Sequence, residues 1–310
     1  MKKGLIALLA GLSLSPRPAS PAETGPAANR PIVIGMQIPM HNPYWESSCD
    51  GAIERAKALG VALKIVSAEW YATREAKNID DFVSQGVQGI LLWPMPSGSV
   101  VPRIEAAVKA GIPVALVGAP VSTDKTLVLV AEDSAEAGRM AAQFIIEKLG
   151  NKGSILRLEG PPGYRAQMKA AFEERLGSSN VTIAATSAAA TGEQMMRSYT
   201  KTLAASLIQS HPQFDGIFAY NDDMILGALD AMEMLHIDPT TKLTVGVDQS
   251  PSSLRRLKDG TLGATINTLP STQAAQALQY LFGYIKDQTT PPQKVILIRP
   301  QLLTKASSPL

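Results

Sequence analysis

An α/β fold built on two successive parallel sheets is the architecture this chain predicts. Three observations carry that prediction. Short apolar runs alternate with amphipathic helical stretches in units of roughly 25–30 residues, the spacing of right-handed strand–helix–strand crossovers. The runs are continuously apolar, as in strands covered on both faces. The pattern also restarts after residue 131, which gives more strands than one compact sheet usually holds.

The first strand falls over residues 31–38, where Ile32, Val33, Ile34, Met36 and Ile38 cluster. A helix over 43–59 stops at Gly60, a residue that accepts the left-handed C-cap conformation. Strand two covers 62–66. The helix over 73–85 places Ala76, Ile79, Phe82 and Val83 on one face. Strand three covers 89–93, a helix over 97–110 ends at Gly111, and strands follow over 112–117 and 126–131. The second half repeats the scheme, with helices over 135–149, 165–176, 192–209, 252–258 and 271–286. Its strands fall over 154–158, 181–185, 216–219, 243–247 and 262–266, with short ones near 295–298 and 302–304.

The run Gly216-Ile217-Phe218-Ala219 shows the logic most clearly. It is a short buried strand that switches through Asn221-Asp222-Asp223 into a helix. Asn221 and Asp222 stand where an N-cap oxygen satisfies an orphan backbone N–H. The carboxyl end of a parallel strand is also where open α/β sheets bind ligands. Asn221 therefore reads either as a helix cap or as a ligand-facing amide.

The N-terminus has its own composition. Lys2 and Lys3 precede an apolar stretch over residues 4–14, and Ser20-Pro21-Ala22 supplies small residues for cleavage. Residues 1–22 read as a secretory signal peptide and 23–30 as a polar spacer. Removing that leader takes Lys2, Lys3 and Arg17 from the 29 basic residues and none of the 27 acidic ones, leaving a net charge of −1. A nucleic-acid partner would need a basic footprint, so none is expected. No later stretch is long and apolar enough to span a bilayer. The single cysteine, Cys49, has no partner for an internal disulfide and reads as a small packed residue within a helix.

Catalytic signatures are missing. There is no phosphate-binding glycine loop after the first strand and no nucleophile elbow. His41, His211 and His236 lack metal-ligand spacing. Asp80-Asp81 and Asp222-Asp223 are adjacent acids, which face different ways on a helix. Neither an enzyme, nor a metal, nor a cofactor is expected.

What recurs is polar and aromatic residues just past strand ends: Asn42, Tyr44 and Trp45, then Glu69, Trp70 and Tyr71, then Trp93. Glu132-Asp133, Arg165, Asn221, Asp248-Gln249 and Asn267-Thr268 continue the series. Each Trp reads either as core packing on a sheet–helix seam or as the wall of a ligand crevice. A polyol would suit such residues. Flat rings cover its C–H faces, while amides, carboxylates and a guanidinium bond its hydroxyls.

Four stretches carry a family likeness: Asn42-Pro43-Tyr44-Trp45 with Asp50-Gly51-Ala52; Ala131-Glu132-Asp133-Ser134 through Gly138; Phe218-Ala219-Tyr220-Asn221 through Leu229; and Val245-Gly246-Val247-Asp248 with Asp259-Gly260-Thr261-Leu262-Gly263-Ala264-Thr265-Ile266. In order and spacing, over about residues 30–305, the chain resembles the periplasmic ribose-binding-protein-like solute receptors of ABC transporters (type I). The lac-repressor-type regulators share that fold, but no helix-turn-helix precedes Ile32. The resemblance implies two Rossmann-like lobes joined by a hinge of three crossings, near 133–134, 267–269 and 292–295. It thus divides the chain into a first lobe of 31–133 plus 269–293 and a second of 134–268 plus 294–310, with the long helix over 271–286 returning to the first. The ligand would bind between the lobes, which close by hinge bending and present the closed form to a membrane permease.

Carried over by position, the resemblance implies ligand contacts at Asn42, Tyr44, Trp45, Asn221 and Asp248, and places Asp133 at a crossing within the same ligand set. It would give Asn221 to the ligand and pass the cap to Asp222. Other positions depart. Gly118-Ala119 stand where sugar binders of the family commonly carry an Asp-Arg pair. Trp93 replaces a small polar residue, Met195 an aromatic, and Thr268 a frequent Gln. The binding Arg of the second lobe falls near Met168, with Arg165 one turn earlier as its substitute. Fewer charged partners and an added aromatic point to a smaller or more apolar solute, such as a branched or reduced polyol, or to a compact cation held by rings.

The expected function is thus a monomeric periplasmic receptor that binds a small sugar or polyol and delivers it to an ABC permease with its ATPase. The alternative is a sensor handing occupancy to a histidine kinase or chemoreceptor.

Overall fold

Residues 31–95, 98–163, 165–190 and 192–307 are described by the computed structural model. The leader, the spacer as far as Arg30 and Tyr164 lie outside them. Six strands build the first sheet: β1 (Val33–Ile38), β2 (Ala62–Ser67), β3 (Gly89–Leu92), β4 (Val114–Val117), β5 (Val128–Glu132) and β11 (Val295–Ile298). Their order is β11-β5-β4-β3-β1-β2, and every pairing is parallel. The second sheet holds β6 (Gly153–Leu158), β7 (Val181–Thr186), β8 (Gly216–Ala219), β9 (Leu243–Val247), β10 (Ala264–Asn267) and β12 (Gln301–Leu303). Its order is β12-β10-β9-β8-β6-β7, parallel except for the antiparallel edge strand β12.

Side chains alternate across each sheet, and both faces are covered. On the first sheet Ile34, Met36, Leu91, Ala115, Val117, Val128 and Val130 share one core with α1 (Pro43–Leu59) and α9 (Pro270–Asp287). Ile90, Leu92, Val114, Leu116, Leu129 and Ala131 join the opposite core with α2 (Ala72–Ser84) and α3 (Val101–Lys109). On the second sheet Leu156, Leu158, Ile217 and Ala219 meet α6 (Arg197–Ser210), α7 (Asp222–Met234) and Leu257 of α8 (Pro251–Asp259). Ile155, Phe218, Tyr220, Val245 and Ile266 meet α4 (Ser134–Lys148) and α5 (Ala166–Gly177). This two-sided burial is why the strands read as unbroken apolar runs.

Gly51 lets α1 and α9 approach closely, since a Cβ there would collide with the backbone of Ser271. Helix α9 therefore lies in the first lobe, although the chain has already built most of the second.

Three crossings join the lobes. The first follows Glu132, where Asp133 caps α4 by accepting from Glu136 N at 2.9 Å. The second runs through Thr268 to Leu269, which sits at φ +58° and donates its N–H to Asn267 Oδ1 at 2.8 Å. The third corrects the sequence expectation. Residues 295–298 pair with residues 129–132 in the first sheet, so the chain changes lobe at Arg299-Pro300, after β11, and residues 294–298 belong with the first lobe. Ile296 and Ile298 pack on the first core, which holds that strand there. The first and third crossings touch, through Asp133 N to Ile298 O at 2.9 Å.

Two helices differ from expectation. Helix α3 begins at Val101 rather than 97; residues 96 and 97 lie outside the described ones. The helix expected over 192–209 divides into a 3-10 turn (Gly192–Met195) and α6, because Met196 is extended at φ −71°, ψ 151°.

Candidate ligand-binding site

The carboxyl ends of both sheets carry the residues singled out by the sequence. After β1, Asn42 is extended (φ −159°) and its Oδ1 accepts from Trp45 N at 3.1 Å. Pro43 follows at the first helical position, where its missing N–H costs nothing. That start fixes Tyr44 and Trp45 in the first turn of α1. Tyr44 meets Trp45 edge-on at 5.7 Å and Trp93 at 5.8 Å, and Trp45 continues to Trp70 at 5.4 Å. Trp93 is 7% exposed, and its Nε1 donates to Ser48 Oγ at 2.7 Å. Four rings thus run along the first lobe from its core to Trp70 on the surface.

The second lobe answers with charge. Arg165, at φ +48°, donates from Nη1 to Tyr220 O at 2.8 Å and pairs through Nη2 with Asp248 Oδ1. The two side chains are only 12% and 15% exposed. Asp248 and Gln249 have φ of +111° and +64°, so the β9–α8 loop is strained where it meets the cleft. Asn221 caps α7, its Oδ1 accepting from Met224 N at 2.7 Å. The cap does not pass to Asp222. That carboxylate is buried at the first helical position, where it accepts from Ser250 N, Ser253 Oγ and Thr265 Oγ1 and so braces the β9–α8 loop. A capping Asn uses only its oxygen, so the amide nitrogens of Asn42 and Asn221 remain available as donors.

Between the lobes lies a cavity of about 90 Å³. Pro43, Tyr44 and Ser47 line it from the first lobe, and Asp248, Gln249 and Ser250 from the second. Thr268, fully buried at the second crossing, donates from Oγ1 to Tyr44 Oη at 3.4 Å. Burial raises the Tyr44 phenol well above its usual range, and the charges of Glu132 and Asp248 add to the effect. Burial also pushes Asp248 up to about 7, against the opposing pull of Arg165. Asp222 is pushed up to about 6 by burial, against its three donors.

Tyr44, Arg165, Asp248 and Thr268 are therefore brought together. Trp45 and Trp93 stand beside Tyr44, and the Trp93 ring is nearly buried. Asn42, Asn221 and Asp133 cap α1, α7 and α4, and none of the three lines the cavity. Sequence reasoning passed over Ser47 and Ser250, which line the cavity. Ser47 shares the α1 face of Tyr44 one turn on, which the helical period could have shown. Among the described residues no group of three or more His, Cys, Asp or Glu is placed to hold a metal ion, and no helix is long and apolar enough to cross a membrane.

Comparison with known proteins agrees with this fold. The family model described as a periplasmic binding protein domain matches residues 36–289. The ribose import binding protein of Bacillus subtilis is 32% identical over 276 residues, 85% of this chain and 84% of that protein. A xylitol-binding protein of Mycolicibacterium smegmatis is 28% identical over 230 residues, 73% of this chain and 64% of that protein. A solute-binding protein of an ABC transporter from Actinobacillus succinogenes, solved with D-allose, superposes with a TM-score of 0.81 at 24% identity, covering 90% of this chain and 99% of that one.

Proposed function

The chain belongs to the periplasmic binding protein domain family, and from that premise we propose that it is a periplasmic receptor for a small sugar or polyol, which it delivers to an ABC permease. The observation that carries this reading is the cavity between the lobes, lined by Tyr44, which packs on Trp45 and Trp93, and by Asp248, which Arg165 pairs. Rings cover C–H faces, and the charged pair offers both donors and acceptors to hydroxyls. Two relatives, named for ribose and xylitol, support that ligand class.

In this reading Asn42, Tyr44, Trp45 and Trp93 form the wall of the first lobe, and Arg165, Asn221 and Asp248 that of the second, with Asp133 and Thr268 at the crossings. Sites for drug-sized ligands measure roughly 300–1,000 Å³. A 90 Å³ cavity therefore suits a closed cleft and a compact solute, which enters by hinge opening at the three crossings. The protein acts as a monomer, exported through the leader over residues 1–22, and binds its solute without transforming it.

The test is isothermal calorimetry against ribose, xylitol, myo-inositol and glycerol, with mass spectrometry of any small molecule that co-purifies. Micromolar or tighter binding of a hydroxylated solute is expected. If the panel is silent and only solutes without hydroxyls bind, the reading is wrong.

A further inference from the structure

Glu132 ends β5 at the first crossing. Strand alternation places it on the face of Val128 and Val130, the face whose core also holds Trp93, Tyr44 and Trp45. Its Oε1 accepts from Ser134 Oγ at 2.7 Å. Its Oε2 is shut off from water and meets no hydrogen-bond donor among the described residues. No basic side chain among them forms an ion pair with it; the guanidinium of the site, Arg165, is engaged by Asp248 and Tyr220 O. A buried carboxylate oxygen without a donor is costly and needs a reason. Its charge bears on both Tyr44 and Asp248, one on each side of the cleft. The neighbouring strand β4 ends at Val117, and Gly118 just past it donates its N–H to Val130 O at 2.8 Å and offers no side chain of its own.

We propose that Glu132 is a ligand contact of the first lobe and selects solutes that present two adjacent hydrogen-bond donors to the crossing, either an ammonium group or a pair of neighbouring hydroxyls. The inference rests on the reading that a hydroxylated solute binds between the lobes, and it narrows that class. A carboxylate accepts only, so the ligand must supply donors at this point. Asp248 is balanced by Arg165, whereas Glu132 has no ion-pair partner among the described residues. An amino sugar would satisfy it with charge, a neutral polyol with hydroxyls.

The experiment titrates wild type and Glu132→Gln by calorimetry with D-ribose, xylitol and D-glucosamine, and records the melting temperature of both without added solute. The best-bound probe should lose about tenfold or more in affinity in E132Q, as when a charged hydrogen bond is removed. Preference for glucosamine would assign the ammonium, preference for ribose or xylitol the hydroxyl pair. Unchanged affinity in E132Q overturns the proposal. The melting temperature of E132Q should equal or exceed that of wild type, because an unpaired buried charge has been removed; a fall of several degrees would make Glu132 a structural brace of Ser134 and overturn it as well. If wild type binds no probe, the solute reading fails on its own, and the melting temperatures still decide Glu132.

Discussion

The Trp93 ring stands in the space that a side chain at position 118 would occupy. A Cβ added to Gly118 would run into Cζ3 of that ring, and Gly118 holds φ at +78°. The two departures from the family pattern, an aromatic after strand three and a glycine after strand four, are thus one compensated pair. The ring takes the volume, Ser48 takes its N–H, and the charged partners common at the end of strand four have no room.

Gly118→Ala should destabilise the protein by about 2–4 kcal/mol, combining left-handed backbone strain with overpacking. Adding Trp93→Ala should make the double variant less destabilised than the sum of the two singles. Urea denaturation of the four proteins measures that coupling. Strict additivity would mean that the ring and the glycine are independent.

Asn221 separates its two roles by substitution. Asn221→Ser keeps a capping oxygen and should stay within roughly 0.5 kcal/mol of wild type, whereas Asn221→Ala should lose about 1 kcal/mol. Both remove the amide donor and should weaken solute binding alike. Wild-type affinity in the Ser variant would leave Asn221 as a cap alone.

The Arg165–Asp248 pair is nearly buried, so removing one partner strands the other. Asp248→Ala or Arg165→Ala should each cost about 3 kcal/mol, and the double variant less than their sum. Asp248→Ala should also abolish solute binding with circular dichroism unchanged. Retained affinity would place the ligand elsewhere.

Stability should fall as pH rises. Asp248 and Asp222 titrate near 7 and 6 in the folded protein, and near 4 in the unfolded chain, as an unperturbed Asp does, at about 3.9. Between those values the folded state holds more protons, so raising the pH through that window drains stability. Melting temperature should be lower at pH 8 than at pH 5.5, and less so in Asp248→Asn. A profile that rises over this range, or one identical in the variant, would contradict these assignments.

Much of the fold was legible because each parallel strand is buried on both faces and each helix is punctuated. Helix α1 runs from the proline after Asn42 to the residue before Gly60, both visible as cap chemistry. Residues 216–219 and 243–247 are strands with the bounds their apolar runs announce. The third crossing was not legible. Nothing local in Val295–Ile298 says which sheet edge it joins, and the answer lies in its ladder with β5. The break at Met196 was hidden because Met carries no helix-stopping signal. At the site, residue types at strand ends pointed to Tyr44, Arg165 and Asp248. That Glu132 would keep an oxygen without a donor depends on where Ser134 and Arg165 reach, which only packing reveals.

The placement of β11 bears on how the chain reaches this state. The first sheet lacks its edge strand, and the first core its helix α9, until nearly the whole chain has been synthesised. The second sheet likewise waits for β12. A nascent chain therefore exposes the β5 and β10 edges, together with the apolar face meant for α9, for as long as translation lasts. Contacts so distant in sequence fold slowly, and unpaired edges attract other chains in the interval. A truncation before Val295 would strip an edge strand from each sheet at once rather than trim one end.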